Sequence, residues 1–183
     1  NIIQDGIDKE GYIIAGIKLN HNSDANYTTI EYNHIINGDA YGIYIKAHHT
    51  VVIGNNISNN SEGIWMESSL HNHIISNNIS ASNGTHGWGV YVKQSTNNTI
   101  SSNTIFDNKY GIYLSYSNDN TIVSNNISYN DYSGIHFHIS NTSVVYDNDI
   151  HNNEYGIRII ESKDNVIWFN SFWEKNEFGR HIY

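Results

Sequence analysis

Two short apolar phrases alternate along the chain, and each returns after roughly 22 residues. The second phrase is an aliphatic residue, an Asn three positions later and an Ile or Phe two positions after that. Apolar and polar residues alternate within each phrase, which is the period of a β-strand and not that of a helix. The first phrase reads Gly-Ile-x-Leu, with close variants, and starts at Gly16, Gly42, Gly63, Gly89, Gly111, Gly134, Gly156 and, in degenerate form, Gly179.

A unit of this length has too little apolar surface to fold alone, but units stacked on one another bury a continuous column of Ile, Leu and Val. The two phrases keep a constant phase, so we predict an all-β, single-stranded, right-handed parallel β-helix of about eight coils of roughly 22 residues. Residues 1–183 would form a single domain, either a segment of a longer solenoid or a filament subunit.

The asparagines of the second phrase should lie at a bend between strands. Asn tolerates the left-handed conformation there, and stacked side-chain amides can bond to one another along the rod. A further polar column is expected three residues before the glycines, and we interpret both columns as scaffold. The first column is Asn33, Asn55, Asn77, Asn103, Asn125, Asn148 and Asn170, and the second is Asp39, Asn60, Asn108, Asp131, Asn153 and Asn176.

Residues 98–105 and 120–127 both match the pattern Asn-x-Ile-x-x-Asn-x-Ile in full. In alternation with Gly-Ile-x-Leu, this pattern resembles the parallel β-helix repeats of secreted carbohydrate-binding proteins and sugar hydrolases, including NosD-like proteins. The resemblance covers nearly the whole chain and implies the fold. Its members include polysaccharide lyases, hydrolases, epimerases, copper-enzyme accessory proteins and surface proteins, and no catalytic residue of theirs can be transferred to this chain.

The amino-acid composition excludes several classes of function. A formal net charge of −9 argues against binding to nucleic acid, and without Cys there are no disulfides or thiolate metal sites. No apolar run reaches the ~18 residues of a membrane span. We expect an extracellular or cell-surface protein, and N-glycosylation is a candidate modification. The Asn-x-Ser/Thr sequons are at Asn26, Asn56, Asn59, Asn78, Asn83, Asn97, Asn126 and Asn141.

The outward position x of the first phrase is aromatic in four of the coils, at Tyr44, Trp65, Tyr91 and Tyr113. Rings at successive rungs, with basic groups beside them, suit stacking on sugar rings and contact with acidic glycans. The alternative is an aromatic ladder that only stabilises the sheet. Two insertions interrupt the repeat, at 20–27 and 80–88, and Trp88 is the residue there best suited to ligand contact.

Histidines supply the other candidate chemistry. His136 and His138 share the outer face of one strand with Arg158 on the next rung, which could serve as base and charge stabiliser in a lyase. His49 and His71 occupy equivalent places and should stack on adjacent rungs, where imidazoles could bind copper or zinc. We otherwise expect no cofactor.

The chain begins and ends within repeat phrases, and no capping helix is found at either terminus. Open strand edges favour stacking on identical subunits, end to end, or on neighbouring coils of a longer chain. The leading hypothesis is therefore a non-catalytic structural or adhesive surface protein, with filament formation and a glycan-compatible aromatic face. The alternatives are a polysaccharide lyase or hydrolase that acts on that face, and a metal-handling accessory protein.

Overall fold

The computed structural model describes residues 2–4, 16–20, 25–173 and 180–182, with residues 2–4 and 180–182 described by their backbone alone. The described residues form parallel strands in three sheets and no helix, and hence none that could cross a membrane. Each coil contributes one strand to each sheet. The predicted parallel β-helix is confirmed.

Sheet I contains the Gly-Ile-x-Leu strands, and strands are numbered in chain order. Its strands are β2 (Ile17–Leu19), β5 (Tyr41–Ile45), β8 (Glu62–Glu67), β11 (Trp88–Lys93), β14 (Tyr110–Ser115), β17 (Ser133–His138), β20 (Tyr155–Ile160) and β23 (Arg180–Ile182).

Sheets II and III contain the two halves of the second phrase, before and after its asparagine. Sheet II consists of β3 (Thr29–Glu31), β6 (Val51–Ile53), β9 (His73–Ile75), β12 (Thr99–Ser101), β15 (Thr121–Val123), β18 (Val144–Tyr146) and β21 (Val166–Trp168). Sheet III consists of β1 (Ile2–Gln4), β4 (His34–Ile36), β7 (Asn56–Ser58), β10 (Asn78–Ser80), β13 (Thr104–Phe106), β16 (Asn126–Ser128), β19 (Asp149–His151) and β22 (Ser171–Trp173).

The described strands make about seven turns, one fewer than predicted. Sheets I and III have eight strands each and sheet II has seven. The extra strands β1 and β23 belong to turns that are incomplete in the described part of the chain. Equivalent residues of successive coils pair in register, as Ile64 does with Val90 and Val90 with Ile112. These inward side chains have no exposed surface, so the predicted apolar column is the core.

The asparagine column between sheets II and III forms a continuous ladder of side-chain hydrogen bonds. Asn103 Oδ1 accepts from the backbone N–H of Asn77 at 2.9 Å and from its Nδ2 at 3.0 Å. Asn103 Nδ2 donates to the Ile74 carbonyl at 2.8 Å and to Asn125 Oδ1 at 3.0 Å. The expected amide-to-amide bonding is confirmed, and each buried amide also pairs a backbone group at the bend.

The prediction that the column asparagines adopt the left-handed conformation is wrong. Positive φ angles occur one position before the column asparagines, for example at Ser102 (φ 56°) and Ser124 (φ 55°). The left-handed residue turns the chain, and the next side chain then lies inside the coil, where it reaches its neighbours. The same order holds at Asn97, where Asn98 follows and bonds to Asn120.

The second predicted column is correct only in part. Asn60, Asn108 and Asn153 belong to a ladder, but its member in the β16–β17 turn is the buried Asn130 and not the exposed Asp131. Asp39 is also outside it, because the ladder continues to the backbone N–H of Gly38. The turn lengths differ by one residue, so a fixed offset from the glycine fails. Asn176 lies outside the described residues.

The glycines of the first phrase are required by the approach of neighbouring coils. A Cβ atom on Gly111 would lie 2.5 Å from the carbonyl oxygen of Gly134 and 2.7 Å from Cγ2 of Ile127. Such distances are well inside van der Waals contact, so only glycine fits where the turn from sheet III enters sheet I.

We predict that Asn103→Ala lowers the free energy of unfolding by about 3 kcal/mol, because it leaves the Asn77 N–H and the Ile74 carbonyl buried without partners. Urea unfolding measures the loss. The control is Thr104→Ala, at the exposed neighbouring position, which should cost about 0.5 kcal/mol. Equal losses in the two variants would contradict a special role for the ladder.

Candidate functional site

The outward side chains of sheet I form a continuous aromatic surface. The predicted row is confirmed in register, with Tyr44 paired to Trp65, Trp65 to Tyr91, and Tyr91 to Tyr113. Neighbouring rings contact edge to face: the Trp65 and Tyr91 centroids are 4.7 Å apart and those of Tyr91 and Tyr113 are 5.5 Å apart. These contacts stabilise the sheet, so the scaffold interpretation accounts for part of the row.

A second row, three or four residues before the first in sequence, widens this surface. Tyr41 packs on Trp65 at 4.8 Å, and Tyr110 packs on Tyr113 at 5.2 Å and on Tyr132 at 5.1 Å. Position x alone did not reveal this row, although the tyrosines beside the glycines were visible in the sequence. We call the two rows together the aromatic surface: Tyr41, Tyr44, Trp65, Trp88, Tyr91, Tyr110, Tyr113, Tyr132, His136 and Tyr155.

Basic side chains concentrate on the same face, although the chain is acidic overall. The described side chains include six Lys and Arg residues, and all but Lys163 lie on sheet I or at the ends of its strands. The charged groups of Lys18, Lys93, Lys109 and Arg158 lie over rings, as with Lys18 on Tyr44 at 5.6 Å. The five are Lys18, Lys46, Lys93, Lys109 and Arg158.

Lys93 is balanced by a carboxylate. Its Nζ is 2.9 Å from Glu67 Oε1, and Tyr44 Oη donates to Glu67 Oε2 at 2.8 Å. Glu67 therefore forms an ion pair with Lys93 and neutralises it. The most exposed cations on this face are Lys18 and Lys109, which leaves them accessible to a charged ligand.

Trp88, predicted as a ligand contact, has both ring faces covered. It stacks on Tyr91 at 4.0 Å and on His86 at 4.2 Å, and only 8% of the residue is exposed. Tyr91 is also 8% exposed, whereas Tyr44, Trp65 and Tyr113 are half-buried and present part of their rings to solvent. The half-buried rings are the ones that a ligand can reach.

The three predicted catalytic residues are brought together, since His136 pairs with Arg158 and precedes His138 on the same face. However, His136 is 2% exposed and its ring lies flat against Tyr113 at 4.5 Å. Burial, together with the positive charge of Arg158, lowers the pKa of His136 to about 4. Arg158 lies over the rings of Tyr132 and Tyr155. The role of this group as a base stays a prediction, but the geometry gives a substrate little access.

His49 and His71 stack on adjacent coils as predicted, with ring centroids 5.1 Å apart and an interplanar angle of 18°. Tyr27 continues the stack at 4.7 Å from His49. Both histidines occupy left-handed positions of the turn from sheet I to sheet II. In the described part of the chain, no three His, Asp or Glu side chains are placed to hold one metal ion.

The sequon asparagines all lie outside the strands of sheet I. Asn56, Asn78 and Asn126 are on sheet III, Asn83 is in the second insertion, and the others are in turns. Five of them have exposed side chains: Asn59, Asn78, Asn83, Asn97 and Asn126. Asn26, Asn56 and Asn141 are half-buried. The sequons therefore lie off the strands of sheet I, and Asn83 is in the insertion beside it.

The second insertion folds against sheet I and makes contacts that the sequence did not reveal. Glu62 of β8, 6% exposed, accepts the backbone N–H of Trp88 through Oε2 at 2.7 Å. Burial raises the pKa of Glu62 to about 6, and hydrogen bonds from the insertion backbone oppose that rise. Beside Glu62 lies a hollow of about 320 Å³, here named the insertion cleft, lined by Asp39, Ala40, Tyr41, Ser61, Glu62, Trp65, Thr85 and His86. Residues 21–24 of the first insertion lie outside the described residues.

The buried imidazole makes stability depend on pH. Because the pKa of His136 is lower in the folded chain than the usual 6.5, its contribution is intact above pH 6.5 and is lost as the pH falls towards 4. Between pH 7 and 5 we predict that the wild type loses about 2 kcal/mol more than His136→Phe, which keeps the stacked ring. Urea unfolding at both pH values measures this difference. The exposed His73→Phe is the control and should behave as the wild type.

A search of curated protein sequences found no match. Among solved structures, the chain is similar to a mutant of the periplasmic alginate epimerase AlgG, with a TM-score of 0.70 and 18% identity over 81% of this chain and 46% of that chain. It is similar to the Dettilon tailspike protein, with a TM-score of 0.64 and 16% identity over 84% and 37%. The A-module of the Azotobacter vinelandii mannuronan C-5 epimerase AlgE4 gives a TM-score of 0.62 and 16% identity over 92% and 54%.

These identities show a shared fold, and this chain spans about half or less of the length of those structures. The family model described as "Right handed beta helix region" matches residues 15–172, which include the described strands of about seven coils. Repeat, register and family model agree, and the chain belongs to the right-handed β-helix family.

Proposed function

We propose that this chain is a non-catalytic, extracellular adhesive β-helix that binds an acidic polysaccharide along the aromatic surface of sheet I. The observation that carries the proposal is the coincidence of half-buried rings and exposed cations on one flat face. Tyr44, Trp65 and Tyr113 offer ring surface, and Lys18 and Lys109 offer charge. A pyranose presents an apolar C–H face to such rings, and a uronate or sulfate group pairs with the cations.

The spacing of the coils supports an extended ligand. Neighbouring strands are about 4.8 Å apart, so the row from Tyr44 to Tyr113 spans about 14 Å, the length of a short oligosaccharide. A rigid sheet holds these rings in place before the ligand arrives, which reduces the entropic cost of binding. Two of the similar structures are named for alginate and mannuronan, and this supports an acidic polysaccharide as the class to test first.

The two alternatives have weaker support. For a lyase, His136 is covered by Tyr113 and little accessible, as described above. For a metal-handling protein, His49 and His71 contact each other through their ring faces. Assembly of subunits end to end into filaments stays a prediction from the sequence.

We predict that Tyr113→Ala weakens binding to alginate at least tenfold in affinity electrophoresis, because it removes a central ring. Tyr113→Phe should bind as the wild type does if stacking provides the affinity. Tyr32→Ala is the control, because Tyr32 is 69% exposed at the bend between sheets II and III, away from the aromatic surface. The proposal fails if the wild type binds no acidic polysaccharide or if Tyr32→Ala and Tyr113→Ala lose equally. Unfolding curves verify that each variant is folded.

We also predict a dependence on charge and salt. The double substitution Lys18→Gln and Lys109→Gln should lower the affinity for alginate about tenfold at low ionic strength and make it less sensitive to NaCl. Lys163→Gln removes an exposed cation outside sheet I and should leave the affinity unchanged. If Lys163→Gln lost about half as much binding free energy as the double variant, net charge alone would explain the result, because it removes one cation and the double variant two. That outcome would contradict a defined surface.

A further inference from the structure

The second insertion is fixed in place by the coils on both sides. Within it, Gly84 N–H donates to the carbonyl of Ser61 in the preceding coil at 2.8 Å. The N–H groups of Lys109 and Tyr110 in the following coil donate to the Gly87 carbonyl at 2.9 and 3.2 Å. Gly87 has a φ of +60°, which suits the sharp return to β11. The insertion, residues 80–88, is therefore hydrogen-bonded to the preceding and the following coil and forms a wall on sheet I.

The Glu62 side chain also holds the insertion in place. At this position of the strand the neighbouring coils have Tyr41 and Trp88. The carboxylate instead takes the Trp88 N–H and further bonds from the backbone of His86 and Gly87, and His86 Nδ1 lies 3.7 Å from Glu62 Oε1. His86 covers the outer face of Trp88.

The insertion cleft lies between this wall and the lower coils. Tyr41 and Trp65 of the aromatic surface, with ring centroids 4.8 Å apart, are among its lining residues. Its volume of about 320 Å³ is near the lower end of the range for small-molecule sites, about 300–1,000 Å³. That volume accommodates one sugar ring.

The polar lining differs from the rest of sheet I. It consists of the carboxylates of Asp39 and Glu62, the hydroxyls of Ser61 and Thr85, and the imidazole of His86. None of the described lining residues is Lys or Arg. Lys109, the cation that acts on Glu62, lies outside the lining, just before β14 and two coils after Glu62. Two carboxylates repel a uronate but accept hydrogen bonds from the hydroxyl groups of an uncharged sugar.

We propose that the insertion cleft is a binding site for a single neutral hexose residue, at an end or a branch of the glycan that sheet I binds. The proposal rests on the proposed function and adds a second specificity to it. The rings of Tyr41 and Trp65 contact the C–H face of the hexose, and the carboxylates take its hydroxyl groups. A polysaccharide of uronates alone would use only the aromatic surface.

The test is titration of the ¹⁵N-labelled chain with monosaccharides, read by NMR. Glucose, galactose and mannose are compared with glucuronate and galacturonate at concentrations up to about 50 mM, since one ring gives millimolar affinity. We expect at least one neutral hexose to shift the Trp65 indole N–H and the amides of Thr85 and His86, and the uronates to bind at least tenfold more weakly. Equal or tighter binding of uronates at these signals, or shifts confined to other residues, would overturn the proposal.

Two variants locate the site. Thr85→Trp adds a ring at the exposed tip of the wall and should abolish hexose binding, whereas Thr104→Trp, exposed on sheet III, should not. Asp39→Asn removes one carboxylate and should reduce the preference for neutral sugars over uronates severalfold. Retained hexose binding by Thr85→Trp would count against the cleft.

The two proposals can fail separately. If alginate still binds, and Tyr113→Ala weakens that binding at least tenfold, but no neutral hexose shifts the Trp65 indole N–H, only the cleft is refuted. If a hexose binds at the cleft while acidic polysaccharides bind nowhere, the function proposed for the aromatic surface is refuted and the cleft is a site in its own right.

Discussion

The rest of the structure depends on the hydrogen bond between the side-chain amide of one coil and the backbone of the next. A narrow parallel coil must bend three times, and at each bend backbone groups leave the sheet and would be buried without partners. Asn125 shows the solution, since its Oδ1 takes the N–H of Asn103 and its Nδ2 reaches the Ile100 carbonyl and the next asparagine. Serine hydroxyls make one of these bonds in other bends, where Ser117 Oγ accepts the backbone N–H of Ser95. The bends are held as firmly as the strands, so the coils stack in a single register.

Much of this architecture could be predicted because the repeat reports it directly. The period of two gave the inward Ile and Leu positions, and the constant phase of the two phrases gave the stacking. What failed were statements about single positions within bends, such as the left-handed residue, which is Ser102 and not Asn103. A pattern of residue types shows that a bend needs a left-handed residue and a buried amide. It does not show their order, because serine and aspartate also tolerate the left-handed conformation.

The aromatic surface could be predicted as a row but not as a layer. Register places Tyr91 beside Tyr113, yet it does not show that rings from a neighbouring row fill the gaps between them. Those neighbours decide exposure: Trp88 and His136 point outward from the sheet and are nevertheless covered, by His86 and Tyr91 in one case and by Tyr113 in the other. A residue that points away from the core of a solenoid is therefore available to a ligand only where its own neighbours leave a ring face open.

The conformation of the second insertion depends on Glu62, a residue of the preceding coil. The insertion itself is visible as extra residues, but its conformation is set by Glu62, which occupies an aromatic position of the strand in a coil of ordinary length. A buried carboxylate at such a position is costly unless backbone donors meet it, and no regular coil has spare donors there. The insertion supplies such a donor, the Trp88 N–H, and the backbone of His86 and Gly87 also favours the charged carboxylate. In a solenoid, an ionisable residue that replaces a ring beside an insertion marks where the added loop docks, and this signal is present in the sequence alone.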